Sequence, residues 1–345
     1  MHLHVRVVAW RGAIAESRHR VQVAVSTVDM ANVAWGASGA EAAPPEFMTT
    51  LRSAAKPFQL VPLVERGHAD RFGWSDEQLA VMAASHSGSA YHVGLVRGIL
   101  ERIRCSDADF ACGYHDVFDP VSRAHLAAHP AGRTAIYNNC SGKHAGMLSL
   151  ARSEGWPLAG YELPDHPLQQ LMHLTVAEIC GLETSAVPSA IDGCNVPVFA
   201  MPLGAMARGY ARLATAAETI APRVRALARI RAAMTAYPVA TDGAGRFNAT
   251  LMQVTGGRLV AKGGAEGLEC VGITSRGVGL ALKCEDGEAR AVVPATIAVL
   301  EHMGELSPSE IAELAAFHRP QIRNHVGRTT GFLEAVVHAA APVAG

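Results

Sequence analysis

The stretch Arg258-Leu-Val-Ala-Lys-Gly-Gly-Ala-Glu-Gly-Leu-Glu-Cys-Val-Gly-Ile-Thr-Ser-Arg-Gly-Val-Gly-Leu-Ala-Leu-Lys-Cys284 reads as three short strands in succession. Apolar, valine-rich runs at Arg258–Ala261, Cys270–Thr274 and Val278–Lys283 are separated by glycine-bearing turns, the pattern of an antiparallel meander. Similar runs at Leu251–Thr255 and Ala289–Val293 extend the expected meander in both directions. At the other end of the chain, Val5–Trp10 and Val21–Thr27 are also strand-like and flank the turn residues Arg11-Gly12. Between these ends the period changes to that of helices. Ser53 opens an apolar stretch to Val64 in which Pro57 and Pro62 must start or kink a helix. Ser75 with Gln78 forms a capping box for a helix toward Ala84. Further helices are predicted over Val93–Ile103, from a Ser141 cap to Arg152, from Asp165 and Pro167 to Gly181, and over Ala217–Ala236. The last is basic through Arg223, Arg225, Arg229 and Arg231, which reads as a solvated face. Helices return at Thr296–His302 and Ser309–Phe317. The expected fold is α/β of the α+β kind. One antiparallel sheet comes from about 1–50 and 238–345, a helical region of about 51–237 is inserted into it, and the whole forms a single catalytic unit.

Composition narrows the function. A hydrophobic content of 49% against 18% charged residues supplies a large core, and a net charge of −1 argues against nucleic acid or an anionic membrane as partner. No apolar run approaches the roughly 20 residues of a membrane span, and the amino-terminal residues lack the apolar block of a signal peptide. A cytoplasmic location is expected. Seven cysteines without regular spacing then read as thiols or metal ligands.

Of the 30 basic residues only four are lysines, Lys56, Lys143, Lys262 and Lys283. Arginine holds nearly every position where either base would serve. A guanidinium stays charged, whereas an ammonium can lose its proton and act as a base, so surviving lysines are candidates for chemistry. Lys283 reads as a leftover. Ser53 and Lys56 are three apart and face one side of a helix, where a desolvated lysine could take the serine proton. By chance about 0.2 such matches are expected, and only about 0.04 for Lys262-Gly263-Gly264. With Ser85-His86-Ser87-Gly88 between them, the three have the order of the serine–lysine motifs of penicillin-recognising enzymes, giving two proton relays, Ser53 with Lys56 and Ser85 with Lys262. The middle motif is not Ser-x-Asn and the third has Gly where Thr or Ser is usual, which speaks against β-lactam chemistry. His86 is either a site residue or a satisfied structural histidine.

Two polar turns remain, Asn138-Asn139-Cys140-Ser141-Gly142-Lys143-His144 and Ile191-Asp192-Gly193-Cys194-Asn195-Val196-Pro197. Two thiolates could share a soft metal such as zinc, with Lys143 as an unusual neutral ligand. The competing reading is two buried thiols in Asn/Gly loops.

Taken together, Ser53-Ala-Ala-Lys-Pro-Phe-Gln59, Ser85-His-Ser-Gly88, Asn138-Asn-Cys-Ser-Gly-Lys-His-Ala-Gly-Met-Leu148 and Asp192-Gly-Cys-Asn-Val-Pro197 resemble the L-asparaginase II family, the thermolabile, rhizobial type. The resemblance runs from Arg11-Gly12 with Glu16-Ser17 to Arg323-Asn324. It implies a serine β-lactamase/penicillin-binding-protein-like or glutaminase-like fold, usually as a homodimer. It implies that Ser53, Lys56, Ser85 and Lys262 are catalytic, and that Cys140, Lys143 and Cys194 hold zinc beside them. Arg52, Asp192, His86 and Gly263 become substrate-binding or site-organising residues for L-asparagine. Ser53 is the expected nucleophile, with Ser85 as competitor. The other readings are a serine-type glutaminase, a β-lactamase-like esterase or peptidase, a zinc hydrolase, and a non-catalytic amino-acid sensor.

Overall fold

Seven strands lie side by side in the order β10-β11-β1-β2-β9-β8-β7, every neighbouring pair antiparallel. They are β1 (Leu3–Arg11), β2 (Ile14–Thr27), β7 (Leu259–Gly264), β8 (Leu268–Ile273), β9 (Val278–Cys284), β10 (Gln321–Arg323) and β11 (Thr329–Ala339). A short β3 (Val33–Ala34) pairs with β2, while β4 (Met48–Thr50), β5 (Ser189–Ile191) and β6 (Pro197–Pro202) lie outside this sheet. The structure, a computed structural model, describes residues 3–28, 33–34 and 47–339. The chain divides into two compact units. One comprises Met1–Ala54, Met201–Ala214 and Thr250–Gly345 and contains the large sheet; the other comprises Ala55–Ala200 and Thr215–Ala249 and is mainly helical. The fold is thus mixed α/β, with an antiparallel sheet flanked by helices. No helix among the described residues is long and apolar enough to cross a membrane.

Every residue of β8 and β9 is buried. Side chains alternate across a strand, so both faces of the sheet must be covered there. The helix Ala289–His302 packs on β1, β2, β8, β9 and β11 and covers the face of Val5, Val21, Val23 and Val25. The helix Leu203–Thr215 covers the other face through an unusually close approach. Gly272 and Gly279 are cross-strand partners. A Cβ on Gly279 would lie 1.8 Å from the Ala207 carbonyl oxygen, and one on Gly272 would lie 2.8 Å from that of Tyr210. The helix backbone therefore rests directly on the sheet backbone, which side chains would forbid. Lys262 pairs with Cys270 and Cys270 with Ala281, on this same face. The glycine slot thus sets how near the helix comes to the Lys262 strand.

The meander over 258–284 forms where it is expected, but its two extensions do not. Leu251–Thr255 lies largely in the helix Phe247–Val254, and Ala289–Val293 opens the helix Ala289–His302. Five-residue windows hid the longer period. Ala291, Val292, Ala295, Ala298 and Val299 are all buried at helical spacing, and Glu288 caps the start by accepting from the Arg290 N–H. Strand β11 was not anticipated; Gly331 at its start marks a close pass, since a Cβ there would be 1.9 Å from the Trp10 carbonyl oxygen.

Two electrostatic expectations are also corrected. The arginines of the helix Pro222–Ala236 are not simply solvated: Arg223 clamps Glu65 with its Nε and Nη2 and also meets Glu178, and Arg229 meets Asp70 at 2.6 Å. Lys283 is no surface leftover. It is buried, and its Nζ donates to the Glu266 carbonyl at 2.6 Å and the Cys284 carbonyl at 2.5 Å, tying down the turn between β7 and β8.

Because the atoms met by a new Cβ at Gly279 are backbone, they cannot rotate away. Gly279→Ala should therefore cost about 3 kcal/mol or more, the upper end of overpacking effects. Urea unfolding measures it; a loss below about 1 kcal/mol would mean that the helix slides off the sheet at little cost.

Candidate active site

The segment that follows β4 is a 3-10 turn, Arg52–Ala55, which runs straight into the helix Lys56–Gln59. Pro57 sits at the start of that helix, where its missing N–H is not needed. Lys56 is only 1% exposed, so its nitrogen has left water and must find replacement partners. It finds three acceptors: the Ala84 carbonyl at 2.7 Å, the Ser85 hydroxyl at 2.9 Å and the Asn139 carbonyl at 3.3 Å. Burial holds the Lys56 pKa below the ordinary lysine value, with Lys143 adding to the effect while Cys140 and Cys194 oppose it. A lysine of this kind can give up its proton and serve as a base for the hydroxyl it touches.

Ser85 is held by its backbone. The helix Asp76–Met82 begins at the Ser75–Gln78 capping box, and the chain that leaves it bonds to two distant loops. Ser85 N–H donates to the Thr241 carbonyl and His86 N–H to that of Asn139, both at 3.2 Å. Gly88 turns the chain at φ +73°, packed so closely that a Cβ would lie 2.6 Å from Val117 Cγ1. His86 is fully buried with both ring nitrogens engaged. Nδ1 accepts from the Gly88 N–H at 3.1 Å, so Nε2 carries the proton and donates to Ser141 Oγ at 2.9 Å. Ser141 in turn donates to the Ile136 carbonyl at 2.7 Å. Burial, reinforced by His92 and Lys56, holds the His86 pKa well below the usual histidine value. This neutral ring fixes the shape of the Ser85 turn.

The helix predicted from a Ser141 cap starts one residue differently. It spans Ser141–Glu154 with Cys140 at the N-cap, and no side chain caps it. The Cys140 N–H is instead held by Asn138 Oδ1 at 2.8 Å. Gly142 permits the approach to the helix Asp76–Met82, since a Cβ there would lie 2.1 Å from the Val81 carbonyl oxygen. One turn in, Lys143 is buried and its Nζ lies 2.9 Å from Cys194 Sγ. Cys194 comes from the turn between β5 and β6, where Asn195 takes φ +71° and Asp192 accepts the Gly193 N–H at 2.7 Å. The two thiols are hydrogen-bonded to each other, which, with Lys56 and Lys143 nearby, lowers the Cys140 pKa well below a normal thiol against the pull of burial. The same hydrogen bond and burial push Cys194 up. Burial works against the Lys143 charge, but the Cys194 and Cys140 sulfurs outweigh it and raise the Lys143 pKa. The two sulfurs are thus driven in opposite directions beside Lys143, and the Cys140 Sγ also lies 3.2 Å from Asn139 Oδ1.

In the sheet-bearing unit, Arg52 adopts the left-handed backbone at φ +44°, and its Cβ would lie 3.2 Å from a Cβ on Gly264. The Arg52–Ala54 turn therefore lies against the end of β7, the strand of Lys262 and Gly263. Tyr210 helps to hold it by donating to the Ala54 carbonyl at 2.9 Å. Lys262 is 1% exposed and its Nζ donates to the Gly263 carbonyl at 2.8 Å. Ser53 is half-buried. The structure accordingly brings Lys56, Ser85, His86, Cys140, Lys143 and Cys194 together in the helical unit, with Asp192 close to Lys143, and in the other it sets the Arg52 turn, which carries Ser53, against the end of the strand that holds Lys262 and Gly263.

Sequence reasoning missed the Ala84 and Asn139 carbonyls, because backbone acceptors leave no signature in residue type. It also missed Tyr161, whose hydroxyl meets His144 Nδ1 at 2.6 Å behind the Cys140 segment. A second group of metal-type donors, His19, Cys284 and Asp286, lies at the end of β9. There Asp286 accepts from His19 Nδ1 at 2.7 Å and from the Cys284 thiol at 3.0 Å. Arg290, which can only donate, faces His19 Nε2 at 3.3 Å, so the network is closed without a cation.

Residues 7–335, nearly the whole chain, match the family model for L-asparaginase II. No curated protein matches the chain.

The neutral histidines make acid stability testable. His86 and His92 both have folded pKa values lowered from 6.5, chiefly by burial. Below about 6.5 the unfolded chain binds protons that the folded rings refuse, so stability is lost as pH falls, each ring contributing a slope of up to about 1.4 kcal/mol per pH unit. His86→Gln, whose amide can still donate to Ser141, should flatten the fall in urea midpoint between neutral and mildly acidic pH. An unchanged pH dependence would show that His86 is charged in the folded state.

Proposed function

The chain belongs to the L-asparaginase II family, and we propose that it is an L-asparagine amidohydrolase that releases L-aspartate and ammonia through a serine–lysine acyl-enzyme. The match over residues 7–335 carries this reading. The buried Lys56 amine 2.9 Å from a serine hydroxyl supports its chemistry.

In the proposed reaction Ser53 attacks the side-chain amide carbon of asparagine. Lys56, in its neutral form, takes the hydroxyl proton and returns it through Ser85 to the departing nitrogen, which leaves as ammonia. Water then attacks the aspartyl ester by the reverse route: the proton taken from it restores the Ser53 hydroxyl, and its other proton leaves the new carboxyl group to solvent, giving aspartate. Lys262 partners Ser85 as a second proton-transfer group, and the N–H groups of Ser53 and of the Lys262–Gly263 strand are proposed to receive the oxyanion. Arg52 is proposed to bind the substrate carboxylate and Asp192 its ammonium, with His86 organising the Ser85 turn. A second reading exchanges the serines: the direct Lys56–Ser85 hydrogen bond favours Ser85 as nucleophile. Acid-quenched mass spectrometry of enzyme mixed with a slow asparagine ester would locate the acyl group.

The same resemblance leads us to propose a serine β-lactamase-like fold acting as a single catalytic unit, a homodimer and a cytoplasmic location. Zinc is proposed at Cys140, Cys194 and Lys143. The donor set fits, since the soft sulfur of Cys194 is within hydrogen-bonding reach of the Lys143 amine and of the Cys140 sulfur. Such an ion would require Lys143 to shed its proton and would fix the Asp192 turn for substrate. Lys143 and the two thiols otherwise neutralise each other, and Lys56 keeps its acid–base role.

Ammonia release from L-asparagine is the direct test. L-Glutamine should be turned over poorly, because a clamp on the α-carboxylate and α-ammonium fixes the reach to the amide carbon. Lys56→Arg and Lys262→Arg should each lose at least about two orders of magnitude in turnover. Equal kcat/KM for the two amides would point to a glutaminase, nitrocefin turnover without ammonia release to an esterase or peptidase, and tight asparagine binding without turnover to a sensor.

Metal analysis of the purified protein should find one zinc-like ion per chain and a loss of it in Cys194→Ser. Chelation should weaken activity without abolishing it. Full occupancy in the variant, or no metal in the parent, would remove the metal from this account. Complete loss on chelation with Ser53→Ala still active would instead mean a zinc hydrolase.

A further inference from the structure

The Ser85 turn has a second side. A cavity of about 310 Å³ opens in the helical unit, lined by Ser87 and Ser89, by Asp119 and Arg246, and by the apolar surfaces of Tyr91, Phe118, Pro120, Val239 and Ala244. None of these residues is assigned a part in the chemistry above. Two opposite charges stand in its wall, and both are held in place. Arg246 Nε donates to the buried Asp242 at 2.7 Å, and its guanidinium carbon lies 4.5 Å from the centre of the Phe118 ring, so the cation is fixed by an ion pair and a stacked aromatic face. Asp119 accepts the Ser122 N–H with Oδ2 at 2.7 Å, as the N-cap of the helix Pro120–Ala128, while Oδ1 has no hydrogen-bond partner among the described residues. Tyr91 is anchored at its far end by donating to Glu77 at 2.5 Å, which leaves its ring as wall.

From this we infer that the cavity is a binding site for a free α-amino acid with an apolar side chain, separate from the site of amide hydrolysis. Arg246 takes the carboxylate, Asp119 the ammonium, and the Phe118, Tyr91 and Val239 surfaces the side chain. The volume suits a molecule of leucine size, and the opposite charges of Arg246 and Asp119 beside apolar surface match the two ends of a zwitterion. The inference does not depend on the identity of the catalysed reaction.

The site is connected to the Ser85 turn. His92 in its wall accepts from Ser89 Oγ at 2.7 Å with Nδ1, donates to the Val239 carbonyl at 2.8 Å with Nε2, and stacks on His86 with ring centres 5.2 Å apart. A ligand that contacts Ser89 therefore acts on His92, which stacks against His86, the histidine that shapes the Ser85 turn.

Equilibrium dialysis with radiolabelled L-leucine at millimolar concentration is the test. One molecule should bind per chain. N-acetyl-L-leucine, which lacks the ammonium, and L-leucinamide, which lacks the carboxylate, should bind at least about tenfold more weakly. Asp119→Asn should selectively erase the penalty on N-acetyl-L-leucine, and Arg246→Gln that on L-leucinamide. Should Arg246→Gln unfold through the loss of its bond to Asp242, Ala244→Leu fills the cavity while removing no polar group and should abolish binding. Lys56→Met should bind as the parent does. Absence of L-leucine binding, binding of either derivative as tight as that of L-leucine, retained binding in Ala244→Leu, or loss in Lys56→Met would each overturn the proposal.

Discussion

A lysine nitrogen removed from water, as at Lys56, is the demanding element of this structure. A buried ammonium without hydrogen-bond partners is among the most destabilising arrangements a fold can contain. Two of the three acceptors around Lys56 are carbonyl oxygens of Ala84 and Asn139, so the paths of two remote loops must be held to within tenths of an ångström. The neighbouring features follow from that need. Gly142 lets one helix touch the carbonyl of Val81, Gly88 turns the chain under Val117, and His86 bridges the Ser85 turn to Ser141. A larger residue at either glycine would be felt first at the lysine.

Charge balance sharpens the picture. Cys140 is driven toward the thiolate and Cys194 away from it, and the two sulfurs favour the protonated form of Lys143. Lys56 feels that thiolate less than it feels its own burial, and it feels the Lys143 ammonium as well. Two amines a short distance apart are thereby driven in opposite directions, one toward permanent charge and the other toward neutrality. Divergent environments of this kind separate an acid–base group from a structural one.

How much of this was legible in the residues alone depends on the range of the forces involved. The strands around Lys262 could be read because alternation and glycine turns are local. The helix at Ala289 could not, because a five-residue window of Ala, Arg and Val looks the same in either state until Ala295 and Val299 extend the period. The motifs of the site were visible as rare lysines in small-residue settings, and the family as their combination. What could not be seen was which acceptor each lysine meets. Lys56 reaches Ser85, 29 positions away, and two carbonyls, and nothing in residue type encodes a backbone oxygen. Lys283 was misjudged for the same reason, since its partners are also carbonyls.

The burial of the lysines has a practical side. Lys56, Lys143, Lys262 and Lys283 are respectively 1%, 4%, 1% and 7% exposed, and the chain has no others. In the folded protein no lysine amine is offered to solvent. Acylating labels, aldehyde fixatives and amine-coupled resins, which ordinarily attach at many points on a protein surface, find no lysine amine there. A reagent of that type that nonetheless modifies a side chain has entered a buried site or waited for the fold to open. The number of acylated lysines over time is therefore a clock for opening of the molecule, carried by its own residues.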